Sequence, residues 1–131
     1  MPPKELSTSI RNFLSRYVRS IEQLEILLLF GREPSVWWSP PKVYESILST
    51  PSSVERWLNE LVGSGLLEKS SDTPASYRCC TDAGLRAEIA MVEESYRTSP
   101  VRVIEAIYKR EANAAQSFAD AFKLKNTDQK P

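Results

Sequence analysis

The sequence predicts a mainly α-helical protein that contains one small β-hairpin. Apolar residues recur along most of the chain at the three- and four-residue spacing of a buried helix face. Two short segments rich in strand formers, residues 66–69 and 76–80, flank a polar loop and indicate a pair of strands. With 131 residues, 41% hydrophobic and 26% charged, the chain has the size and composition of a single folded domain.

The first two helices are predicted from apolar spacing and from a start signal. Residues 8–19 carry apolar side chains at helical intervals. Ser20 then begins the sequence SIEQ, a capping box in which Gln23 returns a hydrogen bond to the Ser20 backbone. The helix that follows is apolar nearly all round, so we expect it to be the central core helix and to end at Gly31.

A brief strand and a short helix are expected next. The sequence PSVWW, residues 34–38, favours a strand, in which alternation would bury one tryptophan and turn the other outward. Ser39 and Pro40 have the residue types of an N-cap and a first helical position, and they predict a helix over residues 40–48.

The segment SSVERWLNELVGSGLLE, residues 52–68, predicts a further helix that runs into the first strand. Ser52 as N-cap and Glu55 three residues later form a second capping box. Trp57 belongs to the apolar stripe, so it is expected in the core and not as a base-stacking residue. Glycines 63 and 65 allow the turn that ends the helix.

The C-terminal part predicts two amphipathic helices, from Thr81 or Asp82 to about residue 97 and from Pro100 to about residue 123. Residues 125–131 are expected to form a disordered tail. The apolar faces of these helices need cover. A symmetric dimer that also uses the first helix would supply it, and packing against the chain's own core is the alternative.

This order of elements resembles the winged helix-turn-helix of bacterial transcriptional regulators, of the MarR-like and PadR-like types. The phrase VERWLNELVGSGLLE is similar to their recognition helix and first wing strand, and YRCCTDAG is similar to their second wing strand and the helix start after it. The resemblance implies an N-terminal helix for dimerisation or packing (residues 1–19), a winged helix-turn-helix core (20–80) and C-terminal dimerisation helices (81–124). It also implies a homodimer that binds double-stranded DNA.

Residues on the outward face of the predicted recognition helix have the types that read DNA. Arg56 suits a guanine, Asn59 suits an adenine, and Ser53 suits a phosphate or a base edge. Cations elsewhere would hold phosphates. The candidate DNA-binding residues are Lys42, Thr50, Ser52, Ser53, Arg56, Asn59, Lys69 and Arg78.

The charge balance favours a competing interpretation. Residues 21–80 contain five positive and eight negative side chains, a net charge of −3, whereas affinity for duplex DNA depends mainly on neutralising phosphates. A winged-helix protein–protein interaction module without DNA binding is therefore the alternative function. The exposed tryptophan expected from Trp37 and Trp38 would suit a partner surface or would only cover the neighbouring helix.

Other function classes lack support in the sequence. The chain has no histidine and no glycine-rich phosphate loop, so we predict no enzyme, no cofactor and no metal site. The adjacent Cys79 and Cys80 are interpreted as reduced thiols, with a redox switch as the less favoured alternative. No apolar run approaches the roughly 20 residues of a membrane span, and we expect a cytoplasmic protein.

Overall fold

The computed structural model describes residues 6–109, which form helices around one two-stranded sheet. The elements are α1 (Thr8–Tyr17), α2 (Ile21–Arg32), α3 (Pro40–Ile47), α4 (Pro51–Gly63), β1 (Leu67–Lys69), β2 (Tyr77–Cys79), α5 (Ala83–Thr98) and a last helical segment, α6, over residues 100–109. The mainly helical fold with one hairpin is confirmed. The far end of the last predicted helix and the expected tail lie outside the described residues.

Of the two hydrogen bonds predicted at the start of α2, one is confirmed and the other has a different backbone donor. The Ser20 hydroxyl accepts a hydrogen bond from the Gln23 amide at 3.0 Å. The Gln23 side chain, however, accepts from the backbone N–H of Arg19 at 2.6 Å and not from that of Ser20. This buried amide thereby fixes the turn between α1 and α2, since its oxygen meets a backbone donor that would otherwise be unpaired.

Helix α2 is the centre of the core, as its apolar composition predicts. It contacts α3, α4, α5 and β2. The side chains of Leu24, Ile26, Leu27 and Phe30 are fully buried. The helix ends at Arg32, one residue beyond the predicted end, because Gly31 serves close packing and not the cap. A Cβ at Gly31 would lie 2.6 Å from Cγ2 of Ile89, so α2 and α5 approach closely there.

The strand predicted over residues 34–38 is wrong in extent. Only Trp38 pairs with the hairpin: its N–H donates to the Tyr77 carbonyl at 2.7 Å and its carbonyl accepts from the Tyr77 N–H at 2.8 Å. A turn precedes it, closed by the Val36 N–H on the Glu33 carbonyl at 3.1 Å. Trp37 is 42% exposed, whereas Trp38 is half-buried against Phe30, with the ring centres 6.2 Å apart.

The predicted N-cap of α4 is also wrong. Thr50, not Ser52, caps this helix, and its hydroxyl accepts from the Ser53 N–H at 3.4 Å. Pro51 then occupies the first helical position, for which its fixed φ is suited. The turn between α3 and α4 is correspondingly short and passes through Leu48, whose φ of 54° is left-handed and whose side chain is 92% exposed.

The C-terminal helices are covered in large part by the chain itself. Ile89, Val92, Val103 and Ile107 are no more than 1% exposed within one chain. Packing against the chain's own core, the alternative to dimer cover, therefore accounts for these four residues. Other apolar side chains of α5 and α6 remain exposed: Met91, Val101 and Tyr108. The helix start at Asp82 and the break at residues 99–100 are as predicted.

Candidate nucleic-acid interface

The two sides of α4 differ sharply in exposure. Its buried side consists of Val54, Trp57, Leu58 and Leu61. On the other side Ser52, Glu55, Arg56 and Asn59 are exposed. Their spacing of three and four residues places these four side chains on one strip of the helix, which we call the outer strip. Trp57 is thus a core residue, as predicted, with 7% of its surface exposed.

The buried side of α4 is tied to the start of α2 by one carboxylate. Glu22 accepts hydrogen bonds from the Ser49 hydroxyl, from the Ser53 hydroxyl at 2.6 Å and from the Trp57 indole N–H at 3.0 Å. We call these four residues the Glu22 clasp. Ser53, a candidate DNA-binding residue, thus has its hydroxyl engaged inside the protein.

The Glu22 carboxylate is held in its ionised form. Partial burial raises the pKa of Glu22, but hydrogen bonds from Ser49, Ser53 and Trp57 together outweigh it, and the net pKa lies below the ordinary value. Three donors stabilise the charged form of the carboxylate more than partial burial disfavours it.

Three of the four candidate cations, Lys42, Arg56 and Lys69, are exposed and have no carboxylate partner among the described residues. Arg56 is exposed and stacks over the Trp57 ring, with its guanidinium carbon 4.7 Å from the ring centre. Lys42 and Lys69 are exposed, and Lys69 Nζ lies 6.0 Å from the Tyr77 ring centre. Within residues 6–109 none of the three forms an ion pair. Because α4 packs against both α3 and β1, these cations lie on adjoining elements.

Arg78, the fourth candidate cation, is engaged by the protein itself. Its guanidinium donates to Glu68 at 2.7 and 3.0 Å, and these residues are direct partners in the hairpin register. Its other neighbour is Trp37, whose ring centre lies 4.5 Å from the guanidinium carbon. Arg78 therefore connects the hairpin to the turn that precedes α3.

The eight candidate residues fall into two groups. Those with a structural partner are Thr50, the helix cap, Ser53 in the clasp, and Arg78 in the ion pair. The remaining ones expose their polar groups: Lys42, Ser52, Arg56, Asn59 and Lys69. Glu22 was not among the candidates, because its partners are 27 to 35 residues away in sequence and no local pattern points to them.

The two cysteines are free and buried. Burial, together with the neighbouring Cys80 thiol, raises the pKa of Cys79 to about 11. Because the thiolate is the reactive form, Cys79 is a poor nucleophile at neutral pH. Within residues 6–109 no three His, Cys, Asp or Glu side chains gather as a metal site requires, and no helix there has both the length and the apolar character to cross a membrane.

Comparison with solved structures assigns the fold. Sco5413, a MarR family transcriptional regulator from Streptomyces coelicolor, superposes with a TM-score of 0.55 at 19% identity, over 93% of this chain and 85% of that one. A possible transcriptional regulator from Methanosarcina mazei superposes with a TM-score of 0.54 at 16% identity, over 100% of this chain and 95% of that one. A mutant of S. aureus MepR bound to an oligodeoxyribonucleotide superposes with a TM-score of 0.52 at 13% identity, over 86% of each chain.

The fold is the winged helix of MarR-type regulators. The resemblance seen in the sequence is confirmed at this level. No protein-family model matches the chain, and no curated protein matches it. In the terms of that fold, α3 and α4 form the helix-turn-helix, and β1 and β2 form the wing.

Proposed function

We propose that this protein is a transcriptional regulator that binds duplex DNA as a homodimer through α4 and the hairpin. The observation that carries the proposal is the outer strip of α4: its polar side chains face solvent on the helix that, in this fold, corresponds to the recognition helix. The solved structure of a MepR mutant with an oligodeoxyribonucleotide supports the same choice of ligand.

Base reading is assigned to the outer strip. The Asn59 amide has the donor and acceptor pair that matches an adenine edge in the major groove, and the Arg56 guanidinium matches guanine. To reach a base, Arg56 would leave the Trp57 ring, a contact worth only about 0.5–1 kcal/mol at an exposed site. Contacts to the DNA backbone are assigned to Thr50 and Ser52, which lie at the start of the helix.

Phosphate contacts are assigned to the cations on the elements beside α4. Lys42 on α3 and Lys69 on β1 are exposed and carry no ion pair among the described residues. Arg78 would contribute only if it exchanged Glu68 for a phosphate. With few free cations and an acidic balance, we expect the affinity to be modest in one subunit and to depend on two subunits binding two half-sites.

The dimer is assigned to the flanking helices. Met91, Val101 and Tyr108 leave apolar surface exposed on α5 and α6 within one chain. We propose that a second copy covers this surface, so that residues 1–19 and 81–124 form the dimerisation part and residues 20–80 form the DNA-binding part.

The test is selection of duplexes from a random pool at low salt, followed by binding measurements with purified protein. We expect a preferred sequence with two half-sites about one helical turn apart. The variant with both Arg56→Ala and Lys69→Ala should bind it at least tenfold more weakly, by the roughly 1–3 kcal/mol of a base contact plus a phosphate contact. Absence of duplex binding at micromolar protein would contradict the proposal.

One observation favours the alternative of a protein-interaction module. Val36 and Trp37 expose apolar surface next to the hairpin, at 41% and 42%. If protein docking is the function, Trp37→Ala should abolish capture of the partner while the double variant above retains it. If DNA is the ligand, the double variant should be the one that fails.

A further inference from the structure

We propose that Glu22 is a positioning residue for α4, which fixes the rotation of that helix and so decides which side chains form the outer strip. The inference rests on the proposed function, since it concerns how the DNA-reading surface is held. The carrying observation is the Glu22 clasp, in which one carboxylate receives three side-chain donors from the α3–α4 turn and from α4.

The clasp holds α4 at two points and the preceding turn at a third. Ser53 is the third residue of α4, and Trp57 follows one turn later on the same side of the helix. Ser49 precedes the helix, in the turn. A rotation of α4 by one residue, about 100°, would carry both helix donors away from the carboxylate.

Apolar packing alone would fix this rotation less strictly. Hydrophobic burial has no direction, and a core tolerates exchanges of apolar residues while it loses a unique arrangement. Hydrogen bonds to a charged group are directional and are among the stronger ones in a protein. The Glu22 clasp therefore supplies the orientation that the stripe of Val54, Leu58 and Leu61 does not fully define.

The charge of Glu22 is otherwise unfavourable for DNA binding. A carboxylate beside the first turn of a DNA-reading helix repels phosphates and competes with them for the Ser53 hydroxyl. A residue that weakens electrostatic attraction is expected here only if it does something else. Holding α4 in one orientation is what its three hydrogen bonds accomplish.

The experiment compares Glu22→Gln with Glu45→Gln in the full-length protein. Each variant removes one negative charge, Glu22→Gln from α2 and Glu45→Gln from α3. Glu45 is exposed and has no hydrogen bond or ion pair among residues 6–109. The readout is the ratio of affinities for the selected duplex and for a scrambled duplex of equal length. Loss of folded protein lowers both affinities equally, so this ratio reports orientation and not stability.

We expect Glu22→Gln to lower the ratio about tenfold, as the loss of hydrogen bonds to a charged group implies, and Glu45→Gln to leave it within about twofold. A ratio for Glu22→Gln within twofold of the wild type overturns the inference and leaves the proposed function standing. If Glu22→Gln does not fold, Ser49→Ala and Ser53→Ala test the positioning role instead, since each removes one donor to Glu22 without changing charge. Their ratios should fall about threefold, and unchanged ratios in both overturn the inference.

The clasp itself has a readout that needs no DNA. The indole N–H resonance of Trp57, assigned by comparison with Trp57→Phe, should shift in Glu22→Gln and stay in place in Glu45→Gln. An unshifted resonance overturns the inference. A shifted resonance in a protein that does not discriminate between duplexes overturns the proposed function, and with it the positioning role, while the clasp remains as a structural contact.

Discussion

The polar groups on the two sides of α4 are engaged very differently. Ser52 and Ser53 are neighbours in sequence, yet the Ser53 hydroxyl donates to Glu22 whereas Ser52 is exposed on the outer strip. Trp57 and Arg56 are likewise neighbours, one buried with its N–H bonded to Glu22 and the other exposed. Polar groups of the inner side are used to hold the helix, and those of the outer strip stay available for a ligand.

The hairpin shows the same division on a smaller scale. Arg78 is paired with Glu68 and stacked by Trp37, while Lys69, one residue from Glu68, is exposed and has no ion pair among the described residues. A cation therefore counts as a candidate for phosphate binding only when no carboxylate of the chain already neutralises it.

The largest expected difference in the free energy of unfolding is between substitutions at Leu58 and at its neighbour Asn59. Leu58 is fully buried, so Leu58→Ala should lower the free energy of unfolding by about 3 kcal/mol, through lost burial and a cavity. Asn59→Ala, on the outer strip, should change it by less than about 0.5 kcal/mol. Chemical denaturation of both variants measures this. Equal losses would show that the outer strip also belongs to the core.

A smaller effect on stability is expected from Glu22. Glu22→Gln should lower the free energy of unfolding by about 1–2 kcal/mol at neutral pH, because the clasp donors lose a charged acceptor at a partly exposed site. Glu45→Gln is the matched control and should change it by less than about 0.5 kcal/mol.

The Glu22 contribution should depend on pH in a defined direction. The pKa of Glu22 is lower in the folded protein than its ordinary value of 4.5, so the folded state favours the ionised form. The stabilisation is then fully present above that ordinary value and is lost as the pH falls through the folded pKa. Denaturation of wild type and Glu22→Gln at a series of pH values should show their difference shrinking below about pH 4.5. A difference that grows on acidification would contradict this assignment.

The stability effects of substituting the two hairpin cations, Arg78 and Lys69, should differ by less than those of Leu58→Ala and Asn59→Ala. Arg78→Ala should cost about 1 kcal/mol of stability, since it removes a half-exposed ion pair and a ring contact. Lys69→Ala should leave stability nearly unchanged and reduce the slope of log affinity against log salt by about one. Thermal unfolding and salt titrations check these outcomes. A larger change of salt slope for Arg78→Ala than for Lys69→Ala would show that Arg78, and not Lys69, is the main phosphate contact of the hairpin.

The smallest effect is expected at Leu48. This side chain is 92% exposed and its backbone is left-handed, which costs a non-glycine residue about 1–2 kcal/mol. Because glycine also loses more entropy on folding, Leu48→Gly should stabilise the protein by a net of about 0.5 kcal/mol. A clear loss of stability in thermal unfolding would show that the entropic cost of glycine outweighs the relief of the left-handed backbone.

The elements with strong periodicity or capping chemistry could be predicted from sequence. Helix α2 is apolar on most sides and capped by Ser20, and both features are local in the chain. The error at the N-cap of α4 arose where two local signals compete. Thr50-Pro51 and Ser52-x-x-Glu55 both read as helix starts, and the proline at the first helical position prevails.

The candidate site was only partly accessible to sequence reasoning. The outer strip follows from helical spacing, but the pairing of Ser53 with Glu22 spans 31 residues and that of Arg78 with Glu68 depends on hairpin register. Side-chain partners brought together by packing leave no periodic trace in the sequence. Candidate polar residues could therefore be predicted from the sequence. Which of them hydrogen-bond to other side chains of the protein could not.

The most direct measurement is the affinity of Asn59→Ala for the selected duplex and for a scrambled one, at fixed low salt and with wild type alongside. If the outer strip reads bases, affinity for the selected duplex falls about fivefold or more, the roughly 1–3 kcal/mol of one base contact, while affinity for the scrambled duplex stays the same. If wild type prefers neither duplex, or if the variant binds both as wild type does, the outer strip does not read DNA.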